Sequence, residues 1–141
     1  DRAQAKAVFQ GVCDVAIMNT YYFAKMALNK KKPEQQKWAT ALTLLYPNQD
    51  DRGAHINISG AAVVKHAKHR AEAIQLVEFM SDNTAQEIYA SVNYEFPVKK
   101  GVARSDLVKS WGEFKADALG LSEISRLSPT AQRVVDRAGW K

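Results

Sequence analysis

Apolar and polar positions change their spacing several times along the chain, and each change predicts an element. Asp1 to Gln10 is rich in Ala, Gln and Lys, with Ala7 and Val8 one turn beyond Ala3 and Gln4, and Gly11 follows as a stop; this predicts a surface helix. Val12 to Met18 is a short, mostly apolar run with β-branched residues, the pattern of a strand buried on both faces of a parallel sheet. Asn19 or Thr20 can then cap a helix beginning at Tyr21 and running through Phe23, Met26 and Ala27. Pro33 suits a first helical position, with Glu34 in the first turn and Trp38, Ala41 and Leu42 as an apolar stripe.

Thr43 to Tyr46 reads as a second short strand, and Pro47 to Gly53 as polar turn chemistry and a linker. His55 to Ser59 alternates with period two, and Gly60 to Val64 continues with small and β-branched residues, giving strand, kink, strand. Ala71, Ile74, Val77 and Phe79 share a helix face, and Asp82-Asn83 offers a cap for a helix from Thr84 to Ser91. Beyond Pro97 the pattern is helical only, with a last helix starting at Ser128-Pro129 and stopping at Gly139. Short strands separated by helices predict an α/β fold. The strands are too few for the helices, so the sequence reads as part of a larger fold.

Length and charge narrow this picture modestly. The chain has 141 residues, 46% hydrophobic and 25% charged, the content of an ordinary globular protein. No apolar run approaches the roughly 18 residues of a membrane span. The net charge of +5 arises from 20 basic and 15 acidic residues, and its densest run, Lys30-Lys31-Lys32, reads as a solvated loop and not as a nucleic-acid patch. Cys13 is the single cysteine, which excludes an intrachain disulfide and a cysteine-based metal site.

Common enzyme signatures are absent: the sequence has no phosphate-cradling loop, no dinucleotide fingerprint, no nucleophile elbow and no metal-spaced histidine pair on a helix. His66 and His69 lie among lysines and an arginine, and His55 reads as a structural residue at a strand start. The unusual feature is Asn19-Thr20-Tyr21-Tyr22, a tyrosine pair at a predicted strand end and helix start, where open α/β sheets bind ligands. Phenols ionise near pH 10, but a trivalent cation favours the phenolate, and hard oxygen donors suit Fe(III). On the residues alone, such a pair is usually a packing feature with wet hydroxyls and only seldom a metal site.

The stretch Gly11 to Tyr22 resembles the "G-x-x-D-(I/V)-A-x-x-N-T-Y-Y" segment of bacterial periplasmic ferric-ion-binding proteins, the iron(III) receptors of ABC transporters. Asp51 to Val63 is similar to their "R-G-T-H-V-N-I-S-G-A" stretch, Asn93 to Val98 to "N-x-E-(Y/F)-P-V", and Ser110 to Lys115 to "W-G-x-F-K". Met18 and Ala54 depart from the family's usual residues, and neither substitution removes a ligand.

The resemblance implies the C-terminal half of a two-lobed, class II periplasmic-binding-protein-like α/β fold. Residues 1–50 would belong to the C-terminal lobe and carry the Tyr-Tyr motif, 51–98 would return to the N-terminal lobe, and 99–141 would be C-terminal-lobe helices. It implies a non-enzymatic receptor that closes its lobes over Fe(III) outside the cytoplasmic membrane and delivers it to a permease. Tyr21 and Tyr22 would be metal ligands, and Asn19 would help bind a synergistic anion such as carbonate or phosphate. The remaining ligands would lie in the other half. An anion or small organic-acid receptor of the same fold is the alternative, with the phenols as hydrogen-bond donors; no nucleic-acid partner is expected. Unpaired strand edges predict dimerisation or strand exchange of the fragment.

Overall fold

A computed structural model describes residues 1–140, and helices dominate them. These are α1 (Arg2–Phe9), α2 (Thr20–Ala27), α3 (Pro33–Thr40), α4 (Arg70–Met80), α5 (Asn83–Ile88), α6 (Asp106–Lys109) and α7 (Leu121–Arg137), with a π-helical turn over Tyr89–Asn93. The chain divides into two units, one of Asp1–Leu45 with Asn57–Glu113 and one of Tyr46–Ile56 with Phe114–Lys141, the latter described to residue 140.

In the first unit the cluster forms where α1, α2 and α3 meet. Ala5, Met26 and Ala39 are buried, and Met18, Phe23, Ala27, Trp38 and Leu42 pack against them. Small residues on α1 and α3 let the helices approach closely enough for Met26 to fill the space between them, with none of its surface exposed. Phe23 meets Trp111 edge to face at 5.6 Å, tying α2 to the segment after α6. Two buried glutamines staple loops to helices. Asn29 donates to Gln35 Oε1 at 2.9 Å, while Gln86 donates to the Met80 carbonyl and accepts the Val98 N–H. α6 is capped by Ser105, whose Oγ accepts the Val108 N–H at 3.3 Å.

The second unit is built on a crossing of two segments. The Ala54 N–H donates to the Lys115 carbonyl, and the Asp117 N–H donates to the Ala54 carbonyl, each at 2.8 Å, giving a parallel bridge between Ala54 and Ala116. Gln49 accepts the Lys115 N–H and donates to the Lys115 carbonyl. Tyr46 and Phe114 stack at 4.4 Å, and Arg52 pairs with Asp117 at 3.4 Å. Gly53 adopts φ +97° with its Cα so close to this bridge that a Cβ would stand 2.6 Å from the Lys115 carbonyl oxygen. Glycine alone fits there. Residues 47–53 therefore form a docked turn and not the expected linker.

Two further expectations fail. None of the four predicted strands forms: residues 12–18, 43–46, 55–59 and 60–64 carry no ladder, and Ala54–Ala116 is the one bridge among the described residues. Val12, Val15 and Ile17 are at least 75% exposed. A strand buried on both faces needs a neighbour on each side, and the described residues supply none. An α/β fold is thus not observed among the described residues. α7, in turn, begins at Leu121 and runs through Pro129, which sits inside the helix and not at its first turn. Proline there removes one main-chain hydrogen bond, and the helix continues on either side. No helix of the described residues is long and apolar enough to cross a membrane.

Candidate functional site

Tyr21 and Tyr22 occupy the first turn of α2, whose N-cap is Asn19. The helix starts there because Asn19 takes an extended backbone conformation and the Tyr22 N–H donates to its carbonyl at 3.1 Å. Phe23 and Met26, further along α2, belong to the core cluster. The two phenol rings remain together at the head of the helix, 4.4 Å apart between centroids and tilted by 33°.

Cations flank both rings. The Arg2 guanidinium lies 5.1 Å from the Tyr22 centroid, and the Lys25 ammonium lies 5.2 Å from that of Tyr21. The Tyr21 phenol is held above its ordinary value of 10.0, first by hydrogen bonding with Tyr22, then by desolvation and by the charges of Tyr22 and Glu95; Arg2 opposes these. In the metal-free chain it is therefore a protonated hydroxyl at neutral pH.

Asn19 is tied on both sides of its amide. Its Oδ1 accepts from Asn57 Nδ2 at 3.0 Å, and its donors face the Asp1 carboxylate. Nearby in the same unit, Ser59 donates to Glu95 Oε2 at 3.1 Å and Asn93 donates to Glu95 Oε1 at 3.3 Å. Tyr94, between Asn93 and Glu95, takes a left-handed conformation with φ 61°, uncommon for a residue with a Cβ.

The sequence-predicted residues thus divide clearly. Asn19, Tyr21 and Tyr22 stand together at one helix start, and neither His66 nor His69 joins them: no group of three or more His, Cys, Asp or Glu among the described residues could hold a metal. A shallow groove lined by Phe9, Pro33, Gln36, Lys37, Thr40 and Ala41 also contains none of the three. Sequence reasoning missed Asp1, Arg2 and Asn57, which lie 18 or more positions from the residues they touch. Lys25 could have been found, four residues beyond Tyr21 on one helix face.

Residues 11–116 match the family of bacterial extracellular solute-binding proteins, and the chain belongs to it. Among its relatives is Iron uptake protein A1 of Synechocystis, 39% identical over all 141 residues, of which the chain covers 39%. Two solved structures align with it throughout. The ferric binding protein of Campylobacter jejuni is 40% identical with a TM-score of 0.92, and the Trichodesmium protein IdiA (FutA), in complex with iron and citrate, is 40% identical with a TM-score of 0.91. The chain covers 44% of each; it spans about two-fifths of the length of the relatives it matches.

Proposed function

We propose that the chain is part of an extracytoplasmic receptor that captures Fe(III), with Tyr21 and Tyr22 as phenolate ligands, and delivers it to the permease of an ABC transporter. The observation that carries this reading is the pair of phenols at the head of α2, each ring with one cation over its face, in a chain related to a named iron uptake protein. A bound ferric ion would supply the charge that favours the phenolate form.

Fe(III) takes about six donors, so two phenolates leave positions to be filled from elsewhere. Asn19 is the residue we assign to the anion beside the metal, carbonate and phosphate being the simplest exogenous choices. The α/β architecture would be completed by strands that pair with residues 12–18 and 55–64. In the lobe assignment we adopt, 1–50 and 99–141 belong to the C-terminal lobe and 51–98 to the N-terminal lobe. Working in the periplasm, such a protein is a carrier and not an enzyme. An isolated fragment with those edges open would dimerise or exchange strands.

Colour tests the reading. Titrating the full-length protein with a ferric chelate should raise a visible phenolate-to-iron charge-transfer band that saturates at one iron per protein. Saturable binding of phosphate or citrate with no visible band would instead establish an anion receptor.

A further inference from the structure

A path of side-chain hydrogen bonds leads from the head of α2 to a half-buried carboxylate. Asn19, the N-cap of α2, accepts from Asn57 Nδ2 at 3.0 Å. Two residues further along that segment, Ser59 donates to Glu95 Oε2 at 3.1 Å, and Asn93 donates to Glu95 Oε1 at 3.3 Å. Glu95 is half-buried. The backbone turns sharply to allow this grip: the π-helical turn ends at Asn93, and Tyr94 then takes φ 61° and ψ 33°, so that Asn93 and Glu95 meet across it. Such turns are costly for a residue with a Cβ and gather at functional sites.

This carboxylate has no cation of its own. Each oxygen accepts from a neutral donor, and the ion pairs of the described residues all lie elsewhere. Its negative charge is felt instead at the Tyr21 hydroxyl, in the same unit of the chain. A partly buried, unpaired carboxylate raises the free energy of the metal-free protein. A cation at the phenols reverses that effect, and does so in proportion to its charge, because Coulomb energy follows the product of the two charges. Arg2 and Lys25, over the ring faces, repel a metal ion in the same proportion, which leaves Glu95 to draw it in.

We propose that Glu95 selects the charge of the bound ion: gripped by Ser59 and Asn93 and left without a cation, it favours Fe(III) over Fe(II) at the tyrosine pair. A trivalent ion gains half as much again from it as a divalent one. The inference rests on the phenolate reading above, and it makes Glu95 a specificity-determining residue that acts through its charge, with its own oxygens already engaged.

The test uses the full-length protein, as wild type, Glu95→Gln and Ser59→Ala. Glutamine has the same shape and can accept from Asn93 while donating to Ser59, so Glu95→Gln removes the charge and keeps the network. Without iron it should therefore unfold thermally close to the wild-type midpoint. Chelator competition should show its Fe(III) binding weakened by about tenfold. A ferrous ion feels two-thirds of that loss in free energy, so Fe(II) binding should weaken by only about fivefold. The midpoint potential of the bound iron should then rise by about 20 mV, the resulting twofold difference converted at 59 mV per tenfold. Ser59→Ala keeps the charge and should leave the potential at its wild-type value. A Glu95→Gln potential equal to that of the wild type overturns the inference, even if affinity falls, since the loss would then ignore the charge of the ion. An equal rise in Ser59→Ala overturns it as well, by assigning the effect to packing. Should Glu95→Gln fail to fold, Glu95→Ala carries the same expectation for the potential. If Tyr21→Phe and Tyr22→Phe leave iron binding and colour intact, the phenolate reading fails on its own, and the potentials of the wild type and Glu95→Gln still decide whether the carboxylate acts on the metal.

Discussion

Tyr21 and Tyr22 hold their ring centroids 4.4 Å apart with a tilt of 33°, although neighbours on a helix project about 100° apart. Their side chains converge at the open end of α2, close enough for the Tyr22 hydroxyl to influence the ionisation of Tyr21.

Tyr21→Phe and Tyr22→Phe each remove one anionic donor and keep the ring. In the full-length protein each should weaken Fe(III) binding by about tenfold or more, the effect of one charge-assisted contact, and shift or bleach the visible band. Ferric-chelate titration of both variants checks this, and unchanged affinity and colour in both would remove the tyrosines from the site.

Acid and base should act in opposite senses on the metal-free and metal-bound forms. Hydrogen bonding with Tyr22 is the largest influence raising the Tyr21 phenol above 10.0. Its contribution to folding stability is therefore complete below that value and is lost as pH climbs through the raised one. Tyr22→Phe should let Tyr21 ionise at lower pH, as read from tyrosinate absorbance in the iron-free protein. Iron binding expels the phenol protons, so affinity should fall on acidification, approaching about two decades per pH unit if both phenols are released. A constant affinity from neutral to mildly acidic pH in a chelator-competition series would contradict phenolate ligation.

Helices were readable in the sequence because their signals are local. Pro33 at a first turn, Gly11 after α1 and Asn19 before α2 each act within a few residues. The head of α2, and with it the tyrosine pair, was legible for the same reason. The predicted strands were not borne out because a strand is a relation between segments: Val15 and Ile17 have the right composition, but the described residues offer them no ladder partner. Pro129 misled by resembling a helix start, when the apolar residues before it already belong to α7. α6 is four residues long, too short to show a period. The Asp1–Asn19 and Asn57–Asn19 contacts join residues 18 and 38 positions apart, which spacing cannot reveal.

Gly53→Ala should destabilise the second unit by about 1–3 kcal/mol, since the new Cβ meets main-chain atoms of Lys115 and Ala116 at a positive φ. Thermal unfolding of the variant measures it, and an unchanged midpoint would mean that the crossing of residues 54 and 116 contributes little.

Met26→Ala should lower stability by about 2–5 kcal/mol, the range for truncating a fully buried side chain. Denaturant titration should show a lower midpoint with a similar slope. A loss well under 1 kcal/mol would mean that the three-helix cluster closes over the cavity.

Both phenols and the buried Met26 lie on α2, a helix of only eight residues. So short a helix has little stability of its own and depends on what holds its two ends. The core grips the C-terminal turn through Met26, and a ferric ion held by Tyr21 and Tyr22 would grip the N-terminal one. Metal binding and the folding of α2 are then linked equilibria, and a thousandfold excess of ligand over its Kd would add about 4 kcal/mol to the folded state. Iron supply would then also set what fraction of the molecules have the head of this helix frayed open, and so how long the population survives among proteases.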